Sequence, residues 1–331
     1  MRTVLVTGGA GYVGSHCCKA FAASGWRVVV LDDLSRGVAD AVRWGPLVRA
    51  DIADGEAVAS ALDRYRPDLV AHFAAYAYVG ESVERPDLYY RNNSVGTLAL
   101  LEAMRARGMR RILFSSTCAS YGHPHYLPID ERHPQAPINP YGWSKFMVER
   151  MLEDYAAAFG FASVALRYFN AAGCDIEGEI GENHDPEIHA IPLAIAAALG
   201  GGRFCVNGTD FDTRDGSAIR DYIHVSDLAD AHVLAGARLL ETDGADVFNL
   251  GTGNGTTVLE VAAAVDRAVG GGLPIEHGPR RPGDPAELVA SAEKARSVLA
   301  WKPVRSDIDT IVRTALAWQR SVAAREAPRR S

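Results

Sequence analysis

The chain has 331 residues, 48% hydrophobic and 23% charged, with a formal net charge of -7. That length allows a large buried core and more than one domain, and the acidic balance speaks against nucleic acid or an anionic membrane surface as partner. The five cysteines (Cys17, Cys18, Cys118, Cys174, Cys205) show neither metal-ligand spacing nor a paired framework, so the expectation is no metal site and a reducing cytoplasmic home. The chain starts on the apolar run TVLV with no leader pattern, and AIPLAIAAAL is too short to cross a bilayer, so no membrane association is expected.

In chain order, TVLVTG, WRVVVLDD, PDLVAHFAA, RRILFSS and ASVALRYFN read as buried strands, rich in valine, leucine and phenylalanine. Helix-like spacing falls between them, around 14–24, 55–65, 95–107 and 141–159. Strand and helix alternating in this way predict an α/β fold, a doubly wound parallel sheet with helices on both faces. Beyond Asn170 the pattern loosens. AAGCDIEGEIGENHDPE reads as a loop, with its GEIGE part solvated, and leads into a helix over 191–199. A strand at FNLG follows, then a helix opening at Thr257 with capping-box spacing to Glu260. The expected division is a first domain over 1–172, with a returning segment near 222–251, and a smaller α/β domain over 173–331. The tail after Val322, with Arg325, Arg329 and Arg330, is expected to fray.

TGGAGYVG, Thr7 to Gly14, closes the first strand and opens the first helix. Gly9-x-Gly11-x-x-Gly14 gives a tight turn, a close backbone approach to pyrophosphate, and a helix N-terminus with free N–H groups. Gly8 extends the spacing. Asp32 ends the second strand about 20 residues on, where a carboxylate can take the adenosine ribose hydroxyls and repel a 2′-phosphate. NAD is therefore favoured over NADP, with Arg36 the one contrary sign. Asp51 and Ile52 follow a strand-like run and could flank the adenine; Asp51 reads equally well as a turn residue.

NPYGWSK, Asn139 to Lys145, places Pro140 in the first turn of a helix and Tyr141 and Lys145 at i and i+4 on one face. A free phenol titrates near ~10, and lowering it to ~7 takes roughly 4 kcal/mol. One cation at ~4 Å in an effective dielectric of ~20 supplies about that much. Lys145, helped by the positive charge of an oxidised nicotinamide, can therefore turn Tyr141 into a general base. Upstream, FSSTCASYG ends a strand at the edge where ligands dock, and Thr117, with Ser115 and Ser116 before it, offers a hydroxyl to relay the proton. His123 and His125 lack a third ligand at useful spacing, while His16, His72, His224 and His232 read as packed. LGTGNGTT lacks the lysine of a P-loop and reads as a turn into a capped helix.

With HFAAYAYVGESVERP, YYRNNSVGT, SSTCASYG, NPYGWSK, RYFNAAG and IRDYIHVSDLADAHV, the chain from Thr3 to Pro303 resembles the UDP-glucose 4-epimerase family of the extended short-chain dehydrogenase/reductase superfamily. The resemblance implies a Rossmann-type fold, NAD as cofactor, a UDP-hexose substrate and a homodimer formed through the helices near Thr97 and Tyr141. It implies Tyr141 as base, Lys145 as its helper and Thr117 as proton shuttle. Its cofactor set is Gly8, Gly11, Tyr12, Val13, Gly14, Asp32, Asp33, Asp51, Ile52, Phe73, Ala74, Ala75, Asn93, Ser115, Tyr141, Lys145 and Phe169. Its substrate set is Thr117, Tyr141, Asn170, His189, Arg220, Arg281 and Asp284. Arg220 and Arg281 are the diphosphate arginines of that resemblance, and Asp284 its ribose carboxylate. His189 reads equally well as a helix cap.

Two positions depart from the family: Asp33 replaces its usual asparagine, and Ala77 stands where many members carry lysine. Related dehydratases carry an Asp-Glu pair after the threonine, whereas this chain has Cys118 and Ala119, which cannot eliminate water. Leu288 stands where narrow members carry a tyrosine, which leaves N-acetylated hexoses open, and shared motifs leave UDP-pentoses open. A regulatory protein that binds NAD without chemistry is the other class, and it would not need the Tyr-Lys pair or the two arginines.

Overall fold

A computed structural model describes residues 1–281 and 283–326. Parallel strands β1 (Thr3–Thr7), β2 (Arg27–Asp32), β3 (Leu47–Arg49), β4 (Leu69–His72), β5 (Arg111–Thr117) and β6 (Ala162–Tyr168) alternate with α1 (Tyr12–Ala23), α2 (Gly55–Tyr65), the short α3 (Val79–Glu84) and α4 (Pro86–Tyr89), α5 (Gly96–Ala106) and α6 (Pro140–Phe159). Then come β7 (Asn170–Ala172), α7 (Ala190–Ala198), β8 (Phe204–Asn207), β9 (Ile219–Arg220), β10 (Tyr222–His224), α8 (Val225–Leu239), β11 (Gly244–Leu250) and β12 (Thr256–Thr257). The chain ends with α9 (Val258–Val269), β13 (Ile275–Gly278), β14 (Glu287–Leu288), α10 (Glu293–Leu299) and α11 (Ile308–Glu326).

The large sheet has seven parallel strands in the order β11-β6-β5-β4-β1-β2-β3. This is the doubly wound α/β architecture that the strand–helix alternation predicts. Its strands read as unbroken apolar runs because both faces are covered. On one face Val4, Val6, Val28 and Val30 pack with Phe21 of α1 and Leu228 of α8. On the other, Leu5, Val29 and Leu31 pack with Leu62 of α2, Leu101 of α5 and Leu152 of α6. A third core draws only on residues 172–318, from α7, α9, α11 and the strands around them. The order reverses between β1 and β4, and a doubly wound sheet binds its ligands at the carboxyl side of such a switch point.

The capping box at Thr257 and Glu260 is present as read. Two expectations need correction. The chain after Val322 continues as helix to Glu326, while Arg329 and Arg330 lie outside the described residues. GEIGE is not simply solvated: Glu182 is buried, and Glu179 reaches Lys19 of α1 at 2.6 Å. No described helix is long and apolar enough to cross a membrane.

Candidate active site

A cavity of about 1350 Å³ opens at the carboxyl ends of the central strands. Every residue singled out for cofactor or substrate lines it except Asn93. Asn93 sits behind the wall, 2% exposed, and its amide is already occupied. Its Oδ1 accepts from the Tyr76 backbone N–H at 2.9 Å, while Nδ2 donates to the Tyr76 carbonyl (2.9 Å) and the Ser144 hydroxyl (3.0 Å). It supports the wall without forming it.

At one end lies the glycine turn. A Cβ on Gly8 would come within 2.4 Å of the Ala74 nitrogen, and one on Gly14 within 2.2 Å of the Gly8 carbonyl. The turn is thus closed against its neighbours, and only glycine lets the backbone approach a ligand this closely. Helix α1 starts at Gly11 with no side-chain cap, so its N-terminal N–H groups remain available to an anion. Asp32 accepts from Ala10 N (3.0 Å) and Leu34 N (2.9 Å). Burial raises its carboxyl and those two bonds oppose the rise. Asp33 accepts from Ser35 N at 2.8 Å, and Asp51 from Ala53 N at 2.8 Å. The turn, the uncapped helix and Asp32 fit an NAD dinucleotide. Arg36 does not argue for NADP, because Glu81 holds its guanidinium at 2.5 Å and the rings of Tyr76 and Tyr78 flank it.

The chemical corner forms where α6 begins. Asn139 caps the helix by accepting from Gly142 N at 2.8 Å, and Pro140 occupies the first turn. A Cβ on Gly142 would meet the Ala119 carbonyl at 2.5 Å, so the helix is pressed against the turn carrying Thr117. Tyr141 and Lys145 consequently face the end of β5. The Thr117 side chain favours the ionised form of the Tyr141 phenol. Lys145 Nζ donates to the Ser115 carbonyl at 2.8 Å and lies 4.9 Å from the Phe114 ring centre. Strand alternation sends Ser115 to the cavity side, where its hydroxyl meets Tyr168 OH at 2.5 Å, and sends Ser116 to Glu149. Glu149 and Arg167, both buried, pair there at 2.5 Å.

The titration behaviour of this corner runs against a ready-made base. Burial pushes the Tyr141 phenol up to about 12, and the Thr117 side chain only partly opposes it. Burial lowers the Lys145 ammonium to about 7, against a smaller opposing pull from Glu149. At neutral pH the phenol is therefore protonated, while the ammonium sits near its midpoint and still carries charge. Cys118, directly after Thr117, is also pushed up to about 12 by burial, so no proton donor or acceptor active at neutral pH stands there.

At the far end, Arg220 pairs with Asp284 and donates to the Ile219 carbonyl at 2.7 Å. Arg281, Asn170, Phe169 and Leu288 line the same end. His189 stands at the N-cap of α7, but its side chain does not cap the helix. Its Nδ1 meets Glu182 at 2.8 Å and Glu187 at 3.0 Å. Burial works to lower the imidazole, but those carboxylates outweigh it and raise it to about 10. Glu182, His184 and Glu187 also line the cavity and were not singled out in the sequence. The only available signal was the spacing E-x-H-x-x-E-x-H within ENHDPEIH.

The NAD dependent epimerase/dehydratase family matches residues 4–251. A UDP-glucose 4-epimerase of Rhizobium leguminosarum bv. trifolii is 52% identical over 318 residues, which is 96% of this chain and 97% of that protein. The crystal structure of UDP-glucose 4-epimerase from Brucella ovis in complex with NAD is 51% identical with a TM-score of 0.93, over 96% of this chain and 98% of that one. The enzyme of Bifidobacterium longum in complex with NAD⁺ and UDP is 37% identical with a TM-score of 0.92, over 97% of this chain and 98% of that one.

Proposed function

The chain belongs to the NAD dependent epimerase/dehydratase family, and within it we propose that it interconverts UDP-glucose and UDP-galactose with NAD as resident cofactor. The observation that carries this reading is the corner itself. Thr117, Tyr141 and Lys145 converge on one cavity, and the next two positions are Cys118 and Ala119, which cannot shuttle a second proton. Such a site can oxidise and reduce one carbon, but it has no acid–base pair to eliminate water. The similar UDP-glucose 4-epimerases, one solved with NAD and another with NAD⁺ and UDP, support the same choice.

Tyr141 takes the proton of the sugar 4-hydroxyl, with Thr117 bridging the oxygen and the phenol. Bound NAD⁺ supplies the hydride acceptor and one positive charge beside that phenol. Moving the phenol from about 12 to ~7 requires roughly 7 kcal/mol, whereas one cation at ~4 Å gives ~4 kcal/mol. Two positive charges are therefore needed, and Lys145 is the one this chain provides. The 4-keto sugar then turns over and is reduced on its other face. Arg220 and Arg281 keep the diphosphate fixed meanwhile, guanidinium forks suiting phosphate oxygens. Asp284 holds Arg220 in place before any ligand arrives.

The remaining assignments rest on the same reading. Gly8, Gly11, Tyr12, Val13, Gly14, Asp32, Asp33, Asp51, Ile52, Phe73, Ala74, Ala75, Ser115 and Phe169 contact the cofactor, Asn93 braces Tyr76 behind it, and Asn170 and His189 face the UDP-sugar. Residues 1–172 with 222–251 form the cofactor domain, and 173–331 the substrate domain, consistent with the separate third core. Val95, Leu98, Trp143 and Met147 leave apolar side chains exposed beside α5 and on α6, a surface suited to homodimer formation in the cytoplasm. Leu288, half-buried on the cavity wall, favours a second reading in which N-acetylated hexoses also fit.

The test is to incubate purified protein with UDP-glucose and no added cofactor. UDP-galactose should form, and NAD should be released on denaturation. Absence of product from UDP-glucose and from UDP-galactose refutes the reading, and a keto-sugar formed with one NADH per turnover, only when NAD is added, points to a net oxidoreductase.

A further inference from the structure

The loop between β7 and α7 carries a second constellation, of which only His189 enters the proposed reaction. His184 Nδ1 and His189 Nδ1 face the same Glu182 Oε1, at 3.1 and 2.8 Å. Glu187 Oε1 lies 3.0 Å from His189 Nδ1, and its Oε2 4.0 Å from His184 Nδ1. One ligand atom from each of the four residues falls within 4.8 Å of all the others. Ligands at ~2.0–2.2 Å around a tetrahedral Zn²⁺ sit roughly 3.3–3.5 Å apart, which the observed spacings bracket.

The chain that carries these groups is also held in place. Glu187 Oε1 accepts from the backbone N–H of Ile188 and of His189, both at 2.8 Å. Trp318 Nε1 donates to the Glu182 carbonyl at 2.9 Å. Gly181 lies so close against that indole that a Cβ would come within 2.4 Å of it. Tyr12 and Tyr78 set their rings edge-on to His184 at 5.9 and 5.7 Å. These contacts fix the Glu187 carboxylate and the chain on either side of the other donors. Two imidazoles with two carboxylates match the borderline divalent ions, Zn²⁺ foremost, better than hard Mg²⁺ or Ca²⁺.

We propose that Glu182, His184, Glu187 and His189 form a Zn²⁺-class metal site on the cavity wall. Four protein ligands close the coordination sphere, so the ion is structural and does not activate water. It ties the loop to the start of α7, next to Tyr12 of the glycine turn.

The test uses the holoenzyme, dialysed against chelator and titrated with Zn²⁺ by calorimetry and with Co²⁺ by visible absorption. One ion per chain should bind, with the ligand-field bands of tetrahedral Co²⁺. Outer-sphere changes cost ~10–100-fold in affinity, so His184→Ala and His189→Ala should each weaken binding at least ~100-fold. His277→Ala, an exposed histidine elsewhere, should bind as the unmodified protein does. Should the cluster variants fail to fold, X-ray absorption on the unmodified Zn²⁺-loaded protein decides, with two imidazoles in a shell near ~2.0–2.1 Å expected. No saturable binding, equal binding by all three variants, or a shell without imidazole would overturn the site and leave only a proton-bridged His–Glu cluster. None of these readouts depends on sugar chemistry, so failure here leaves the epimerase reading intact.

Discussion

The corner where β5 meets α6 and the loop that precedes α7 bring titratable groups to the same cavity by different means. At the corner the backbone decides. A cap at Asn139, Pro140 behind it and a strand end opposite give Tyr141, Lys145 and Thr117 no freedom to point elsewhere. In the loop no regular element imposes a period, and Glu182, His184, Glu187 and His189 meet because their side chains attract one another. The corner is also apolar enough to push Tyr141 up and Lys145 down, whereas the loop pairs its charges. Chemistry that must await a ligand sits in the first environment, and charge that must be held permanently sits in the second.

The largest effect expected is at the corner. Tyr141→Phe should lower kcat by ~10²–10⁴-fold, the usual worth of a general base, with UDP binding measured by calorimetry unaltered. Unaltered turnover would break the contrast by removing chemistry from the corner. Arg167→Met leaves the buried Glu149 carboxylate unpaired behind β5. It should cost ~3–5 kcal/mol in denaturant unfolding, more than any single change in the surface loops.

Lys145 gives a pH signature. Its folded value of about 7 lies below the ordinary ~10.4, so folding favours the neutral amine. The resulting cost is fully present below about pH 7 and fades as pH rises towards ~10. Protein stripped of dinucleotide should therefore gain a few kcal/mol across that window, and Lys145→Met should remove the gain. A flat difference between the two would place a hydrated ammonium there. The smallest effect is Gly142→Ala, in which the new Cβ meets the Ala119 carbonyl. Moving α6 away from Thr117 should cost ~1–3 kcal/mol and lower kcat more than it alters KM.

The same contrast explains what could be read beforehand. Apolar runs alternating with helices reveal five of the sheet's seven strands, because parallel strands are buried on both faces. The glycine turn, Asp32 and the Tyr-x-x-x-Lys pair are legible because each depends on spacing along one element. Asn93 is different. Its residue type suits a ligand contact, but whether its amide faces the cavity or Tyr76 and Ser144 depends on neighbours far along the chain. Glu182 looked solvated within GEIGE because nothing local reveals Trp318 of α11 closing over it. The opposing shifts at Tyr141 and Lys145 were equally hidden, since burial is a property of the assembled walls.

The most direct measurement is an ultraviolet titration of tyrosinate, taken as the difference between the unmodified protein and Tyr141→Phe, with and without NAD⁺. Without dinucleotide the extra phenol should ionise only near pH 12, and with NAD⁺ bound it should ionise near neutrality. A Tyr141 phenol still protonated well above pH ~10 with NAD⁺ in place would contradict a base created by Lys145 and the bound cofactor together.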